Sequence, residues 1–137
     1  MIVDTSALIA VTVGEPEWEA LQAALLEPSA SIPAPVLTEL ALVTGAKSPA
    51  IRDAARGLVD TLILKGCEIA AFDHRHAEIA RTARDRYGRA NGRGGLLNFG
   101  DLMVYAIAKQ RGEPVLCTGR DFASTDLDIH PASRLAT

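Results

Sequence analysis

The sequence describes an α/β domain in which helices cover both faces of a parallel sheet, a three-layer α/β/α arrangement. Three observations carry that expectation. Short apolar runs alternate with longer stretches of helical spacing along the whole chain, an order that closes into one sheet by parallel crossovers. Most of these runs are followed by capping residue types or by proline, which open a helix. Finally, 137 residues, 48% hydrophobic and 23% charged, suit a single domain spanning 1–137 whose core needs no structural metal or disulfide.

Met1 to Val3 is the first strand, and Asp4-Thr5-Ser6 leads into a helix through Ala7 to Val11 that Gly14 closes. A second helix is expected from Glu15 to Leu26, with Trp18, Leu21, Leu25 and Leu26 on one face and its acids early, where the helix dipole favours them. Pro28 ends it. Ser31 to Ala34 is a strand, and Pro35 opens a helix to Ala46, since a first-turn proline lacks only an N–H that would have had no partner. Ser48-Pro49 starts the next helix, which runs to about Lys65 and stops at Gly66. Cys67 to Phe72 reads as a strand, and Asp73 caps a helix to about Tyr87. Five glycines between 88 and 100 predict a flexible loop. Leu102 to Ala108 is almost wholly apolar, a buried helix with Asp101 at its start and Lys109, Gln110 and Arg111 at its end. Val115 to Cys117 is a buried strand ending at Thr118-Gly119-Arg120-Asp121, and a weak last strand is expected near Leu127 to Ile129.

Residues 1–46 hold six acidic side chains and no basic one, whereas 81–93 holds Arg81, Arg84, Arg86, Arg89 and Arg93 against Asp85. An acidic half and a basic patch therefore share one small domain of net charge −3. Cys67 and Cys117 lie in separate apolar runs and suit buried thiols rather than a disulfide. The opening residues lack a basic region ahead of an apolar core, and no run reaches the ~18 apolar residues of a membrane span. A soluble, cytoplasmic protein with no membrane partner is expected.

Four carboxylates carry the chemistry, and each has a plainer reading. Asp4 follows the first strand, either as a helix cap or as a metal ligand held by the hydroxyls of Thr5 and Ser6. Glu39 shares its helix face with Val36, Leu42, Val43 and Ala46, so it must be paired, protonated or metal-bound, with Arg120 as the available distant partner. Asp101 opens the buried helix after Asn98-Phe99-Gly100, where either it or Asn98 is the cap. Asp121 follows the last core strand and could equally serve the turn, with Asp126 in reserve. In parallel α/β sheets the site lies at the carboxyl ends of the strands, so one acidic cluster satisfies all four. Oxygen donors without Cys or His at zinc spacing point to Mg²⁺ or Mn²⁺.

These segments resemble the PIN-domain ribonucleases, most closely the VapC-type toxins of bacterial toxin–antitoxin pairs. The resemblance rests on Met1-Ile2-Val3-Asp4-Thr5-Ser6-Ala7-Leu8, on Pro35-Val36-Leu37-Thr38-Glu39-Leu40-Ala41, on Leu97-Asn98-Phe99-Gly100-Asp101 and on Leu116-Cys117-Thr118-Gly119-Arg120-Asp121-Phe122, and it covers nearly the full length. It implies a PIN-like fold with about five parallel strands, and a type II toxin acting as a divalent-metal endoribonuclease on transfer or ribosomal RNA. It also implies a homodimer, with larger toxin–antitoxin assemblies open, and a VapB-like antitoxin as partner. Asp4, Glu39, Asp101 and Asp121 correspond to the family's four acids.

On that reading Asp4, Asp101 and Asp121 are metal ligands, Glu39 binds directly or through water, and Thr5, Ser6, Asn98 and Thr118 support them. Hydrolysis would proceed by metal-activated water. The five arginines and Arg120 are candidates to hold RNA phosphates, against the plainer reading of a solvated surface. His74 and His76, two apart, make a poor ligand pair. No dinucleotide fingerprint or Walker motif is present. An aspartyl-phosphate enzyme is disfavoured because Ser6 stands where the second acid of an Asp-x-Asp pair belongs. The alternative of a different class is a catalytically silent PIN-fold module that binds RNA or protein.

Overall fold

The computed structural model describes residues 1–135. Four parallel strands, β1 (Ile2–Val3), β2 (Ser31–Pro33), β3 (Glu68–Ala70) and β4 (Val115–Leu116), form one sheet in the order β3-β2-β1-β4. The helices flanking it are α1 (Thr5–Val13), α2 (Trp18–Leu25), α3 (Ala34–Gly45), α4 (Pro49–Leu64), α5 (His74–Tyr87) and α6 (Phe99–Arg111). This is the α/β/α domain expected. The fifth strand is reduced to single parallel bridges, Val115 to Ile129 and Thr118 to Arg134, because only isolated residues of 127–135 align with the β4 edge.

Burial explains why the strands are so short. Ile2, Val3, Ile32, Val115 and Leu116 are fully enclosed, so two or three apolar residues per strand suffice when both sheet faces are covered. Helix α6 packs against α5, α3 and β1, while α1 packs against α2, α3 and α4. Val104, Tyr105, Ala106, Ile107 and Ala108 of α6 are all buried, as its apolar sequence requires. Cys117 is buried in the same core, whereas Cys67 lies half-buried in the turn before β3; both thiols are free. Among the described residues no helix is long and apolar enough to cross a membrane.

Three local expectations fail for physical reasons. Helix α2 starts at Trp18 rather than Glu15, because the chain turns through Glu17 in a left-handed conformation (φ 67°) and Glu15 instead pairs with Arg134 at 2.7 Å. Leu26, assigned to the buried face of that helix, is 53% exposed. The glycine-rich segment is a closed turn rather than a loose loop. Leu97 exchanges backbone hydrogen bonds with Tyr87 and Arg89, and the Asn91 carboxamide oxygen accepts from the N–H groups of Arg93 and Gly95. A Cβ at Gly95 would lie 2.7 Å from the Gly88 carbonyl carbon, so the two chain segments can approach only because glycine stands there.

The candidate active site

The chain leaves β1 toward β2 on one side, and β4 returns to the other, so strand order reverses between β1 and β4. The crevice beyond their carboxyl ends is where open parallel sheets place their sites. Asp4 stands at its floor, 5% exposed, with its backbone N–H donating to the Leu116 carbonyl at 2.9 Å. Its Oδ2 accepts from the backbone N–H of Ser6 at 3.0 Å and from the Ser6 hydroxyl at 2.5 Å. Ser6 Oγ in turn accepts from the Thr118 N–H at 3.0 Å, so one hydroxyl ties the end of β1 to the end of β4. Thr118 thus contributes its backbone rather than its side chain. Asp4 Oδ1 is buried and has no hydrogen-bond partner among the described residues.

Asp101 enters from α6. Its carboxylate accepts from the Asn98 N–H at 3.0 Å, while the Asn98 side chain accepts from the Asp101 N–H at 2.9 Å, a reciprocal capping box. Asn98 is therefore the cap, and Asp101 returns the bond from inside the first turn. Glu39 comes from α3, where its Oε1 accepts from the Thr5 hydroxyl at 2.5 Å. The hydroxyl assigned to Asp4 serves Glu39 instead, and Ser6 alone holds Asp4 with its side chain. Glu39 is half-buried, and of the apolar face assigned to it only Val36 is buried: Leu42 is 71% exposed, Val43 37% and Ala46 is exposed, while α3 buries Val36, Leu40 and Thr44.

Electrostatics shows which acids converge. Burial lifts the Asp101 carboxyl from the ordinary 3.8 to about 7, with Asp4, Asp121 and Glu39 adding like-charge repulsion. Burial likewise lifts Asp4 to about 6, with Glu39 contributing. The Cys117 thiol beneath them is pushed up to about 12 by burial and by Asp4, Asp101 and Asp121, so it stays protonated and inert. Asp121, half-buried ahead of the single-turn helix at Phe122–Ser124, lies near enough to add to the repulsion at Asp101. Asp126 is engaged elsewhere: it accepts from the Tyr105 hydroxyl and from Lys109 Nζ, both at 2.7 Å, and Lys109 holds its carboxyl below the usual range. Among the described residues no basic side chain forms an ion pair with Asp4, Glu39, Asp101 or Asp121. Arg120 is not the partner of Glu39; its Nε donates to the Leu135 carbonyl at 3.2 Å.

The donor set suits a hard divalent cation, being all oxygen, deprived of counter-cations and provided with a buried carboxylate oxygen that nothing satisfies. Among the described residues, however, no three acidic, His or Cys side chains already stand in ligating positions. Asp4, Glu39 and Asp101 are turned toward Ser6, Thr5 and Asn98 instead. Side-chain rotation within the cluster is needed before several of them can share an ion.

The arginines lie apart from the acids in their contacts. Arg81 pairs with Glu78 at 2.9 Å, Arg84 with Asp85 at 3.2 Å, Arg86 lies over the Tyr87 ring at 5.1 Å, and Arg89 Nε donates to the Leu96 carbonyl at 3.0 Å. All of these and Arg93 are exposed. His76 is buried, its ring nitrogens engaged by the Asp73 N–H and the Gln110 carboxamide, and His74 is exposed; they form no ligand pair. Sequence reasoning missed Gly100, where a Cβ would overlap the Glu39 carboxylate. The available signal was a glycine inside a helical first turn, one residue ahead of an acid.

Asn98→Ala removes one half of the capping box. It is expected to cost about 1 kcal/mol of stability, the usual value of an N-cap side chain, and denaturant unfolding measures it.

Residues 1–127 match the model of the PIN domain. Over 134 residues the chain is 39% identical to the ribonuclease VapC42 of Mycobacterium tuberculosis, covering 96% of this chain and 98% of that protein. It is 37% identical to the ribonuclease VapC36 of the same organism, over 94% of this chain and 92% of that protein. Among solved structures, Mycobacterium tuberculosis VapC20, described as a sarcin-ricin loop cleaving toxin, superimposes with a TM-score of 0.72 at 17% identity, covering 92% of this chain and 95% of that one.

Proposed function

The chain belongs to the PIN-domain family, among its VapC ribonucleases, and from that premise we propose that it is the toxin of a type II toxin–antitoxin pair, an endoribonuclease that needs Mg²⁺ or Mn²⁺. The observation that supports the metal requirement is the all-oxygen set itself: Asp4 has a buried carboxylate oxygen without a partner, Asp101 is a carboxyl lifted by burial and, to a lesser extent, by Asp4, Asp121 and Glu39, and among the described residues none of these acids is ion-paired to a basic side chain. Such a cluster repels itself until a positive charge joins it.

In this reading Asp4, Asp101 and Asp121 hold the ion and Glu39 binds it directly or through water. When bound, the ion lowers the pKa of a coordinated water and offsets charge on the phosphoryl oxygens. The chain's own residues do the rest. Ser6 holds Asp4 in place from the β1–β4 crevice, Thr5 fixes the Glu39 carboxylate, and Asn98 fixes Asp101. The high proton affinity of Asp101 and Asp4 makes metal uptake release protons, so binding strengthens as pH rises from 6 to 8. Cleavage of RNA by the purified chain with Mn²⁺, and its loss with a chelator, is the test.

Substrate and partner follow from the same premise. Transfer RNA or ribosomal RNA, both cytoplasmic, is the proposed substrate class, and a cognate VapB-like antitoxin the proposed partner. Leu42, one turn beyond Glu39, and Phe99, next to Gly100, are 71% and 80% exposed. Such apolar side chains beside the site suit the proposed homodimer. The arginines of α5 and the turn after it are the proposed phosphate contacts. Neutralising Arg86, Arg89 and Arg93 together is expected to weaken RNA binding about tenfold at low salt and to flatten the slope of log affinity against log salt by up to about 3. A salt titration of RNA binding measures both, and unchanged binding assigns the patch to solvent or to the antitoxin.

One observation favours the second reading, a catalytically silent binding module: the acids are engaged by Thr5, Ser6 and Asn98 rather than arranged around an ion. A silent module would bind RNA without cutting it, which the cleavage test distinguishes.

A further inference from the structure

Gly100 is the second residue of α6. Its backbone lies outside the left-handed region that only glycine favours, so nothing in the main chain calls for glycine there. Glycine is in fact the poorer choice, because alanine is the better helix former at any ordinary helical position. What calls for it is the neighbour. The three atoms nearest to a Cβ at this position all belong to Glu39: it would overlap Oε2, lie 2.7 Å from the carboxyl carbon and 3.0 Å from Oε1. The space that the missing methyl leaves is filled by the carboxylate itself.

That carboxylate is held from two sides. Thr5 Oγ1, at the start of α1, donates to Oε1, and Oε2 occupies the space that a Cβ at Gly100, at the start of α6, would take. Three helices, α1, α3 and α6, therefore converge on one group, with Asp101 the next residue along α6. We infer that Gly100 is a positioning residue: its lack of a side chain seats the Glu39 carboxylate beside Asp101, and a methyl there would push the carboxylate off Thr5 and out of the cluster. Because the displaced atoms are the far end of a flexible side chain, the fold tolerates the methyl and the site does not. This inference rests on the proposed ribonuclease reading for its functional consequence, but not for the contact itself.

The test is a double-mutant cycle of Gly100→Ala and Glu39→Asp, read in RNA cleavage, in Mn²⁺ affinity by calorimetry and in melting temperature. Gly100→Ala is expected to keep or raise the melting temperature, to lower kcat by about 100-fold with little change in KM, as a misplacement of about 1 Å does, and to weaken Mn²⁺ binding about tenfold. Glu39→Asp alone should also lower both. In the Gly100→Ala background it withdraws the carboxylate by one methylene, about 1.5 Å, and should restore part of the lost kcat and Mn²⁺ affinity. A merely structural glycine would not show this recovery. The inference is overturned if Gly100→Ala matches wild type in both kcat and Mn²⁺ affinity, if the double variant is no better than Gly100→Ala, or if Gly100→Ala melts more than about 10 °C lower, which would make the contact a folding contact. The ribonuclease reading fails separately: a wild type that cuts no RNA, with the recovery still seen in Mn²⁺ affinity, leaves Gly100 in its role and removes the reaction.

Discussion

Asp101→Asn is expected to leave the domain folded and to lower RNA cleavage by about 1000-fold, equivalent to about 4 kcal/mol of transition-state stabilisation. The asymmetry follows from where the carboxylate sits. Its one hydrogen-bond partner is the Asn98 N–H, and the carboxamide oxygen of an asparagine can accept that bond equally well. What the substitution removes is a negative charge that burial and three neighbouring acids already oppose. Folding therefore gains where catalysis loses, and above pH 7 the variant should be more stable than wild type when no metal is present. Asp4→Asn should behave in the same way, since Ser6 can still donate to its side-chain oxygen. Rates on a defined RNA, beside melting curves at pH 8, separate this outcome from simple unfolding. A variant that loses activity and stability together would place Asp101 in the fold rather than in the reaction.

The metal-free protein should lose stability as pH rises from about 4 to 7. An acid whose folded pKa is raised binds its proton more tightly in the native state, so the native state holds more protons than the unfolded chain throughout the window between the two pKa values. For Asp101 that window runs from 3.8 to about 7, and for Asp4 from 3.8 to about 6. Each group can contribute at most about 1.4 kcal/mol per pH unit. The two repel one another, so a combined loss of about 3 kcal/mol, on the order of 10 °C in melting temperature, is the reasonable expectation. Glu68 works in the opposite sense and in another range. Arg111 holds its carboxyl down at about 2, so its contribution is present above 4.5 and is lost only as pH falls toward 2. Maximum stability of the metal-free chain should thus lie near pH 4 to 5. Mn²⁺ at 100 times its Kd should restore about 2.7 kcal/mol at pH 8, and the Asp4→Asn, Asp101→Asn double variant should show neither the alkaline loss nor the metal response. Scanning calorimetry from pH 4 to 8 with and without Mn²⁺ checks both, and a flat profile would mean that the carboxyls are not buried together.

The order of elements was readable because each boundary carries a local device: Asp4 and Gly14 around α1, Ser48-Pro49 before α4, Asp73 before α5, Asn98 before α6. Asp4 and Asp101 were readable for the same reason, since a strand end and a helix start restrict where their side chains can go. Less local features were not. Leu42 reads as core by its spacing, yet it is 71% exposed because the buried stripe of α3 runs through Val36, Leu40 and Thr44. Of the neighbours that single out Glu39, Val36 is buried but Leu42 and Val43 are not. The division of labour between Thr5 and Ser6 depends on α3 crossing in front of α1, a tertiary fact that adjacent hydroxyls in a sequence cannot reveal. Asp121 is preferred over Asp126 by sequence because it stands nearer the strand end, and the contacts of Asp126 with Lys109 and Tyr105, on another element, could not be read there. Gly100 was invisible because the object it makes room for is 61 positions away.

The central claim is that these four acids act together, through a divalent cation, on RNA. It is tested most directly by incubating total cellular RNA with the purified protein and Mg²⁺ or Mn²⁺, beside an EDTA control and the Asp4→Asn, Asp101→Asn double variant, and mapping the new 5′ ends. Discrete cleavage that depends on the metal and is absent from both controls is the predicted result. Equal cleavage by the wild type and the double variant, or none by either with every metal and RNA supplied, would contradict it.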